Sequence, residues 1–594
     1  MPEAADCGDL SVKQLNRRAF LGSTTAAIAA AASPIGLSAA SANSAGREDG
    51  FLGLLRYPDR AAAYAEGSPD RIELSREAGV WHASGHGHDL ELRTELAPEA
   101  LNLKVSAPAI PLTRIHLRWS LTVAANMLVL GDAWERSYGD LAWRGIVPER
   151  PLPWYFATCQ EGVTHCYGVK TGASAFCFWQ VDAEGVSLWL DLSNGGSGVL
   201  LGQRELLAAT VVSYQGRSGE QAQASIAALC HKMCPAPRLP TGPIYGTNDW
   251  YYAYGKNSAE GILRDTDLIV ALAPKGGLRP FSVVDGGWAG SGGGSDIVVP
   301  NSKFPDMPGL ATEIRRRGAR PGIWIRPTLA PKATKPELLL PGSRFHSSNS
   351  SGNDPVYDPT IPEALQAMIA KVTQVAAWKY ELVKHDYSTF DLFGQWGSQM
   401  GPEPTRPGWA FHDRSRTNAE IVLSLYQSIR VAAGPETILL GCNTVGHLAA
   451  GLFELQRTGD DTSGQHWERT RRMGVNTLAY RLPQNRTFFT IDADCVGITH
   501  AIPWELNRQW LDLIARSGSA LFLSPSPDAV GPQQKADIAE AFAIAAAGNT
   551  TGHPVDWFNS TTPSQWQFET GHSPKPSEKR YNWCGQDGCD PYPI

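Results

Sequence analysis

Two acidic stretches carry the chemistry that this chain could perform. Lys384-His385-Asp386 closes one short apolar run, and Arg457-Thr458-Gly459-Asp460-Asp461-Thr462 closes another. Both lie inside a repeating pattern of strand-like and helix-like segments. Two carboxylates on different strand ends of one barrel meet the needs of glycoside hydrolysis. One acts as nucleophile or base, and the other protonates the departing oxygen. Taken singly, each acid has a plainer reading as a helix cap or loop residue.

The elements that must position these acids follow from periodicity. From about residue 243, apolar runs at 244–246, 281–284, 321–326, 380–384, 438–440, 456–458, 488–491 and 520–523 read as strands. Amphipathic segments at 258–273, 307–317, 361–377, 418–433, 467–472 and 504–516 read as helices between them. Eight strands in regular alternation with helices predict an α/β architecture, a (β/α)8 TIM barrel over 241–548. Its active site is then expected at the C-terminal strand ends. Those ends read Asn248-Asp249-Trp250-Tyr251, Asp285-Gly286-Gly287-Trp288, Trp324-Ile325-Arg326, Lys384-His385-Asp386, Cys442-Asn443, Arg457 to Asp461, Asp492-Ala493-Asp494 and Ser524-Pro525-Ser526. Carboxyl groups at five of these eight ends are hard to explain as capping alone.

Before the barrel, residues 46–240 show period-two alternation, as in Ile115-His116-Leu117-Arg118-Trp119 and Val186-Ser187-Leu188-Trp189-Leu190. Gly, Pro and Asn separate these runs, which predicts an N-terminal antiparallel β-sandwich domain. A helix is expected over 225–233, then a Pro-rich linker at 235–240. Residues 549–594 are expected to form a short C-terminal extension, irregular or a single hairpin, packed on the barrel. Asn16-Arg17-Arg18-Ala19-Phe20-Leu21-Gly22, an Ala-rich stretch over 26–32 and Ala40-Ser41-Ala42 resemble a twin-arginine signal peptide spanning 1–45. Export by that route, to the periplasm or the exterior, is the expectation, with no other membrane association. The apolar stretch is too short for a good membrane span.

Among 594 residues with a formal net charge of −7 there is no basic footprint for nucleic acid. The 19 Trp suit a protein that stacks on sugar rings, although Trp also fills large cores. Of ten Cys, Cys584 and Cys589 bracket a Gly-rich turn and could form a terminal clip, whereas the others read mostly as buried thiols. No His-rich ligand set accompanies them, so no metal is expected. Gly290-Ser291-Gly292-Gly293-Gly294-Ser295 has no basic residue to hold phosphate.

Four stretches in order carry a resemblance. Val284-Asp285-Gly286-Gly287-Trp288 is similar to an Asp-Asp-Gly-Trp strand. Phe304-Pro305-Asp306-Met307-Pro308-Gly309-Leu310 with Arg317 to Trp324 resembles a helix-then-strand segment. Val383-Lys384-His385-Asp386 resembles a Lys-Trp-Asp nucleophile strand, and Gly459-Asp460-Asp461-Thr462 an acid/base turn. Together they resemble the alpha-galactosidase clan of retaining glycoside hydrolases, families 36 and 27, over about 243–545. Family 36 also carries an N-terminal sandwich. The resemblance implies that Asp386 is the nucleophile and Asp460 the acid/base, with Asp461 its rival. It implies Asp249, Trp250, Asp285, Trp288, Trp324, Arg326, Lys384, Cys442, Asn443 and Arg457 around the sugar. It implies no cofactor, an oligo- or polysaccharide substrate, and a terminal α-galactoside as the leading choice.

The departures bear on specificity. Gly286 replaces the second of two adjacent acids, His385 replaces Trp, and Arg326 stands where family 36 usually has a carboxylate. These changes keep open a clan relative acting as an α-N-acetylgalactosaminidase or β-L-arabinopyranosidase. A carbohydrate-binding protein without catalysis on the same scaffold is a further alternative. Arg326 could also salt-bridge a neighbouring acid instead of touching substrate.

Overall fold

The computed structural model describes residues 50–590, apart from 69, 84–88, 290–298, 346–353, 572–574 and 587. The twin-arginine motif, the candidate cleavage site and the Gly-Ser run at 290–295 lie outside the described residues. The described residues belong to one compact unit.

Thirteen antiparallel strands between Arg60 and Tyr214 hydrogen-bond into one continuous sheet. Alternation decides its inner face: in Ala100–Ser106, Leu101, Leu103 and Val105 are fully buried while their neighbours are not. Strands far apart in the sheet order meet face to face. Phe156, near one edge, lies 5.4 Å from Trp179 near the other, ring to ring. The sheet therefore folds over itself as a sandwich with an aromatic core. The helix Ala222–Met233 then covers it and leads into the barrel.

The barrel strands are Tyr245–Asn248, Phe281–Val284, Arg320–Ile325, Leu382–His385, Ile438–Gly441, Leu455–Arg457, Thr490–Ile498 and Ala520–Pro525, all parallel. Pairing of Tyr245 with Leu521 closes the ring. Phe281, Val283, Leu382, Leu440, Leu455 and Phe522 fill the interior as a separate apolar cluster. Helix ends obey local chemistry. Asp306 caps Met307–Arg317 by accepting from the Gly309 N–H, and Gly318, at φ 97°, ends it. Thr417 and Glu420 form a capping box at the start of Asn418–Ala433.

Four features differ from expectation. The seventh strand runs through Asp492-Ala493-Asp494 instead of ending there, with a register break between Asp492 and Cys495. The segment after Trp467 passes through a π-helical turn at Arg471–Val475 into a further helix, Asn476–Arg481. A helix at Pro532–Ala547, Ala-rich and weakly amphipathic, lacks the contrast that periodicity needs. The C-terminal extension is a three-stranded sheet, Thr550–Pro554, Gln565–Thr570 and Ser577–Arg580, rather than one hairpin. Cys584 and Cys589 are joined by a disulfide, and Cys230 and Cys234 are buried free thiols.

The sandwich is bound to the barrel by close backbone approach. Gly195 N–H donates to Asn418 Oδ1 at 2.6 Å, and Asn194 Nδ2 donates to the Asp413 and Arg416 carbonyls at 2.8 and 2.7 Å. A Cβ at Gly196 would lie 1.8 Å from the Arg406 carbonyl oxygen. Gly196→Ala is expected to destabilise the protein by about 1–3 kcal/mol or more through overpacking. A lowered thermal midpoint checks this, and an unchanged one refutes it.

Candidate active site

Strand alternation aims the mouth residues. In the fourth strand Leu382 points into the barrel, so Lys384 and Asp386 point inward and His385 points out. The His385 ring packs edge-on against Tyr426 and Phe453, its Nε2 meets Ser388 Oγ, and burial lowers its pKa to about 4. It is a neutral core imidazole.

Asp386 is held from three sides. Trp324 Nε1 donates to it at 2.9 Å, the Tyr387 N–H at 2.7 Å and the Asn443 N–H at 3.1 Å. Burial pushes its pKa up. The charges of Lys384 and Arg136 and the Trp324 hydrogen bond outweigh that and hold the carboxyl below the usual carboxylate range. Tyr387 sits at φ 68°, a left-handed backbone that non-glycine residues rarely adopt, and this turn brings its N–H onto the Asp386 carboxylate.

Lys384 Nζ bonds Asp285 Oδ2 at 2.7 Å across the barrel mouth; burial opposes the ammonium, but the Asp285 charge outweighs it and keeps Lys384 firmly charged. Asp285 also accepts from Asn248 Nδ2 at 2.5 Å and from the Gly286 N–H at 2.7 Å. Asp249 accepts from the Asp285 N–H at 2.8 Å, and burial with the Asp285 charge pushes it up to about 7. Trp250 and Trp324 are half-buried and flank Gly286. A Cβ there would meet Trp250 at 3.5 Å and Trp324 at 3.8 Å, ordinary contact distances, so a side chain would have fitted.

The acid pair is divided between different cations. Asp460 takes Arg469 at 2.7 Å and Arg136 at 3.2 Å, and its side chain is 15% exposed. Asp461 takes Arg457 at 3.0 Å and Arg136 at 3.2 Å, and is 39% exposed. The Asp461 charge acts on Asp386, Tyr251, Tyr254 and Tyr387. Desolvation opposes its ionisation, but Arg457, Arg136, Lys384 and Arg469 prevail and hold Asp461 well below the carboxylate range. Arg457 also pairs with Asp494 at 3.0 Å. Asp494 in turn receives the Thr462 N–H at 2.7 Å and the Tyr251 hydroxyl, which pins the turn that carries the acids.

Four expected sugar contacts take other roles. Trp288 is fully buried, donates to the Trp324 carbonyl at 2.9 Å and packs edge-on against Trp378, so it supports the pocket wall from behind. Arg326 is committed to Asp391 at 2.6 and 2.9 Å and to Asp354 at 2.8 Å, with its guanidinium over Tyr387. Asn443 is fully buried; its Oδ1 accepts from the Phe390 N–H at 3.0 Å and its Nδ2 reaches Glu135. Cys442 is a buried thiol whose sulfur lies 3.8 Å from Arg457 Nη1. Asp249, Trp250, Asp285, Trp324, Lys384, Asp386, Arg457, Asp460 and Asp461 do gather at one mouth.

Sequence reading missed Glu135 and Arg136, which come from the sandwich. Ser137 forms a parallel bridge with Gly459: its N–H donates to the Thr458 carbonyl at 2.9 Å, and its carbonyl accepts the Asp460 N–H at 2.8 Å. The sandwich loop thereby pairs beside the chain leaving the sixth barrel strand and delivers Arg136 to the acids. The one local signal is a charged pair directly after the buried Trp134. Among the described residues no cluster of three or more His, Cys, Asp or Glu is placed to hold a metal ion.

No family model matches the chain, and no curated protein matches it by sequence. Solved structures do match by shape. The alpha-galactosidase TtGalA from Thermus thermophilus, in complex with p-nitrophenyl alpha-D-galactopyranoside, superposes with a TM-score of 0.57 at 19% identity, covering 84% of this chain and 99% of that one. The GH36 alpha-galactosidase AgaA from Geobacillus stearothermophilus gives 0.56 at 14% identity, over 86% and 78%. The alpha-galactosidase from Lactobacillus brevis gives 0.53 at 14%, over 86% and 78%. The fold is that of the solved alpha-galactosidases. The shared span is longer than the barrel alone, so the sandwich belongs to the likeness as well as the barrel.

Because Arg326 is buried, removing its main partner leaves a desolvated cation. Asp391→Ala is expected to cost about 3–5 kcal/mol of stability, read as a lowered urea midpoint. A change below about 1 kcal/mol, the range of exposed pairs, would mean the pair is solvated.

Proposed function

We propose that this protein is a retaining glycoside hydrolase acting on terminal α-galactosides or closely related α-glycosides. The observation that carries the reading is Asp386 at the end of the fourth strand. It is held ionised by Lys384 and Arg136 and oriented by Trp324, with the charge of a second carboxyl, Asp461, acting on it. In the first step Asp386 attacks the anomeric carbon and the bond to the leaving oxygen breaks, that oxygen taking a proton from the acid. In the second, water gives its proton to the same residue, now a carboxylate, attacks the anomeric carbon and frees Asp386. Each acid pairs with Arg136 and one further arginine, and Asp460, the expected acid, is the less exposed carboxyl. Asp461 is more open and its charge is felt at Asp386, so the acid/base role is assigned to Asp461. Lys384, Asp285 and Asp249 supply hydrogen bonds to sugar hydroxyls, and Trp250 and Trp324 wall the ring. The solved neighbours support this reading: TtGalA is described in complex with stachyose and AgaA with raffinose. Export by the twin-arginine route is part of the same proposal and rests on the N-terminal motif.

One observation favours a second specificity. Gly286 leaves open the space between Trp250 and Trp324 where a second acid would project. A sugar bearing a different group at that position, as in an N-acetylgalactosaminide or an arabinopyranoside, then fits without an unpaired carboxylate.

Hydrolysis of a panel of nitrophenyl α- and β-glycosides by the mature chain tests the reading. Activity is expected on the α-galactoside or a related sugar, and Asp386→Ala should abolish it. No turnover of any glycoside, small or polymeric, would overturn it. Asp461→Asn is expected to reduce kcat by on the order of 10²–10⁴-fold for poor leaving groups, and less for nitrophenolate, which needs little protonation. A larger loss in Asp460→Asn would return the role to Asp460.

The pH dependence follows from the two depressed carboxyls. Asp386 must be ionised, so the rate falls only below its lowered pKa. Asp461 must be protonated in the first step, and the surrounding cations oppose that, so the rate falls as pH rises. An acidic optimum of kcat/KM is expected, and an optimum above neutrality would contradict it.

A further inference from the structure

The sandwich reaches both acidic stretches through one dipeptide. Glu135 is fully buried and accepts from Tyr138 Oη at 2.6 Å, from the Gly397 N–H at 2.8 Å and from Asn443 Nδ2. Asn443 in turn donates its own N–H to Asp386 at 3.1 Å. The next residue, Arg136, is 5% exposed and pairs with Asp460 and Asp461, each at 3.2 Å. The Ser137 bridge to Gly459 fixes this loop to the backbone of the acid turn. A buried carboxyl with three donors, followed by a buried cation with two carboxylates, is costly to build unless the geometry it enforces is used.

We propose that Glu135 and Arg136 are positioning residues for the reaction, Glu135 setting Asp386 through Asn443, and Arg136 spacing Asp460 and Asp461. The proposal rests on the glycosidase reading. It makes the sandwich a working part of the site rather than a passive neighbour. One domain then controls the placement of both reacting carboxyls, which a barrel alone would leave to separate loops.

The charges around each group set the test. Arg136 faces Glu135, Tyr138, Asp460 and Asp461. Asp386 faces Lys384, Arg136, Asp461, Tyr387 and Cys442. Asp461 faces Arg457, Arg136, Lys384, Arg469, Asp386, Tyr251, Tyr254 and Tyr387. Arg136 is the cation common to both reacting carboxyls that comes from outside the barrel. Its removal raises both pKa values: the acid limb of kcat/KM moves up because Asp386 ionises later, and the alkaline limb moves up because Asp461 stays protonated longer. A merely structural role would lower activity without moving either limb.

The experiment compares Arg136→Gln, Arg136→Lys and Glu135→Gln in the mature full chain. It measures pH profiles of kcat and KM on the glycoside that the wild type cleaves, and ¹³Cγ-aspartate NMR titration on the same samples. Arg136→Gln is expected to lower kcat on the order of 100-fold with KM little changed, and to move both limbs to higher pH. Arg136→Lys keeps the charge and loses the two-carboxylate clamp, so its limbs should stay near wild type while kcat recovers only in part. Glu135→Gln should lower kcat with KM and the thermal midpoint near wild type, a split that a merely structural role would not give. Unshifted limbs and kcat within about threefold in Arg136→Gln would overturn the proposal. Should that variant fail to fold, an unreduced kcat in Arg136→Lys would overturn it. The NMR titration separates this result from failure of the glycosidase reading, because it reads the Asp386 and Asp461 carboxyls whether or not a glycoside is cleaved. Unmoved titrations in Arg136→Gln would also sink the proposal.

Discussion

Carboxylates crowded into a closed barrel mouth stay ionised only where cations answer them, and this constraint organises the molecule. An uncompensated buried charge costs several kcal/mol, whatever its use. Lys384 answers Asp285, Arg457 answers Asp461 and Asp494, Arg469 answers Asp460, and Arg136 spans the acid pair. The pairs Lys384 with Asp285, Arg457 with Asp494 and Arg136 with both acids join different elements, so the charge balance also ties the strand ends together. Where burial outweighs the cations, the carboxyls shift the other way. Burial and the Asp285 charge push Asp249 up to about 7, and burial pushes Asp492 to about 6 against the pull of Arg457 and Lys384. The mouth therefore holds carboxyls shifted in opposite directions side by side, sorted by whether cations or burial prevail.

Alternation along the strands converts this balance into a site. A period of two puts Lys384 and Asp386 on one face and His385 on the other, where an aromatic cage keeps it neutral. The same alternation aims Trp324 at Asp386 and the fully buried Ile325 outward. Rigidity comes from behind: Trp288 braces the Trp324 carbonyl, and Arg326 with Asp391 locks the helix that follows Asp386. Residues that do not touch a substrate thus determine how closely the ones that do are held.

The sandwich and barrel share one backbone register. The Ser137 and Gly459 bridge pairs the chain leaving a barrel strand with a segment from the other domain. Gly195 and Gly196 let the two backbones come together at a second place. An interface built from main-chain hydrogen bonds resists sliding, because a shift of one residue would break every bond at once. Such an interface can carry a functional side chain across a domain boundary with little loss of precision.

Much of this was legible in the chain alone. Short apolar runs separated by helix-length amphipathic segments dictate an alternating α/β barrel, since each element must bury one face. The acids at the strand ends, Asp249, Asp285, Asp386, Asp460 and Asp461, were visible because hydrophobic runs stop there. The sequence could not distinguish Trp250, half-buried at the mouth, from Trp288, fully buried behind it, because both follow a strand and have the same chemistry. Nor could it foresee that Arg326 would be claimed by Asp391 and Asp354, or that Asp460 and Asp461 would turn to different cations. Those outcomes depend on which side chains from other elements arrive within about 3 Å, a distance that no linear spacing encodes. Arg136 is the clearest case: some 320 residues separate it from the acids it pairs with, and only the docking of sandwich on barrel brings them together. Local pattern determines which elements form, because it reflects burial of each segment's own face. The charge partners within the site are decided by tertiary packing, because electrostatic energy depends on distance in space.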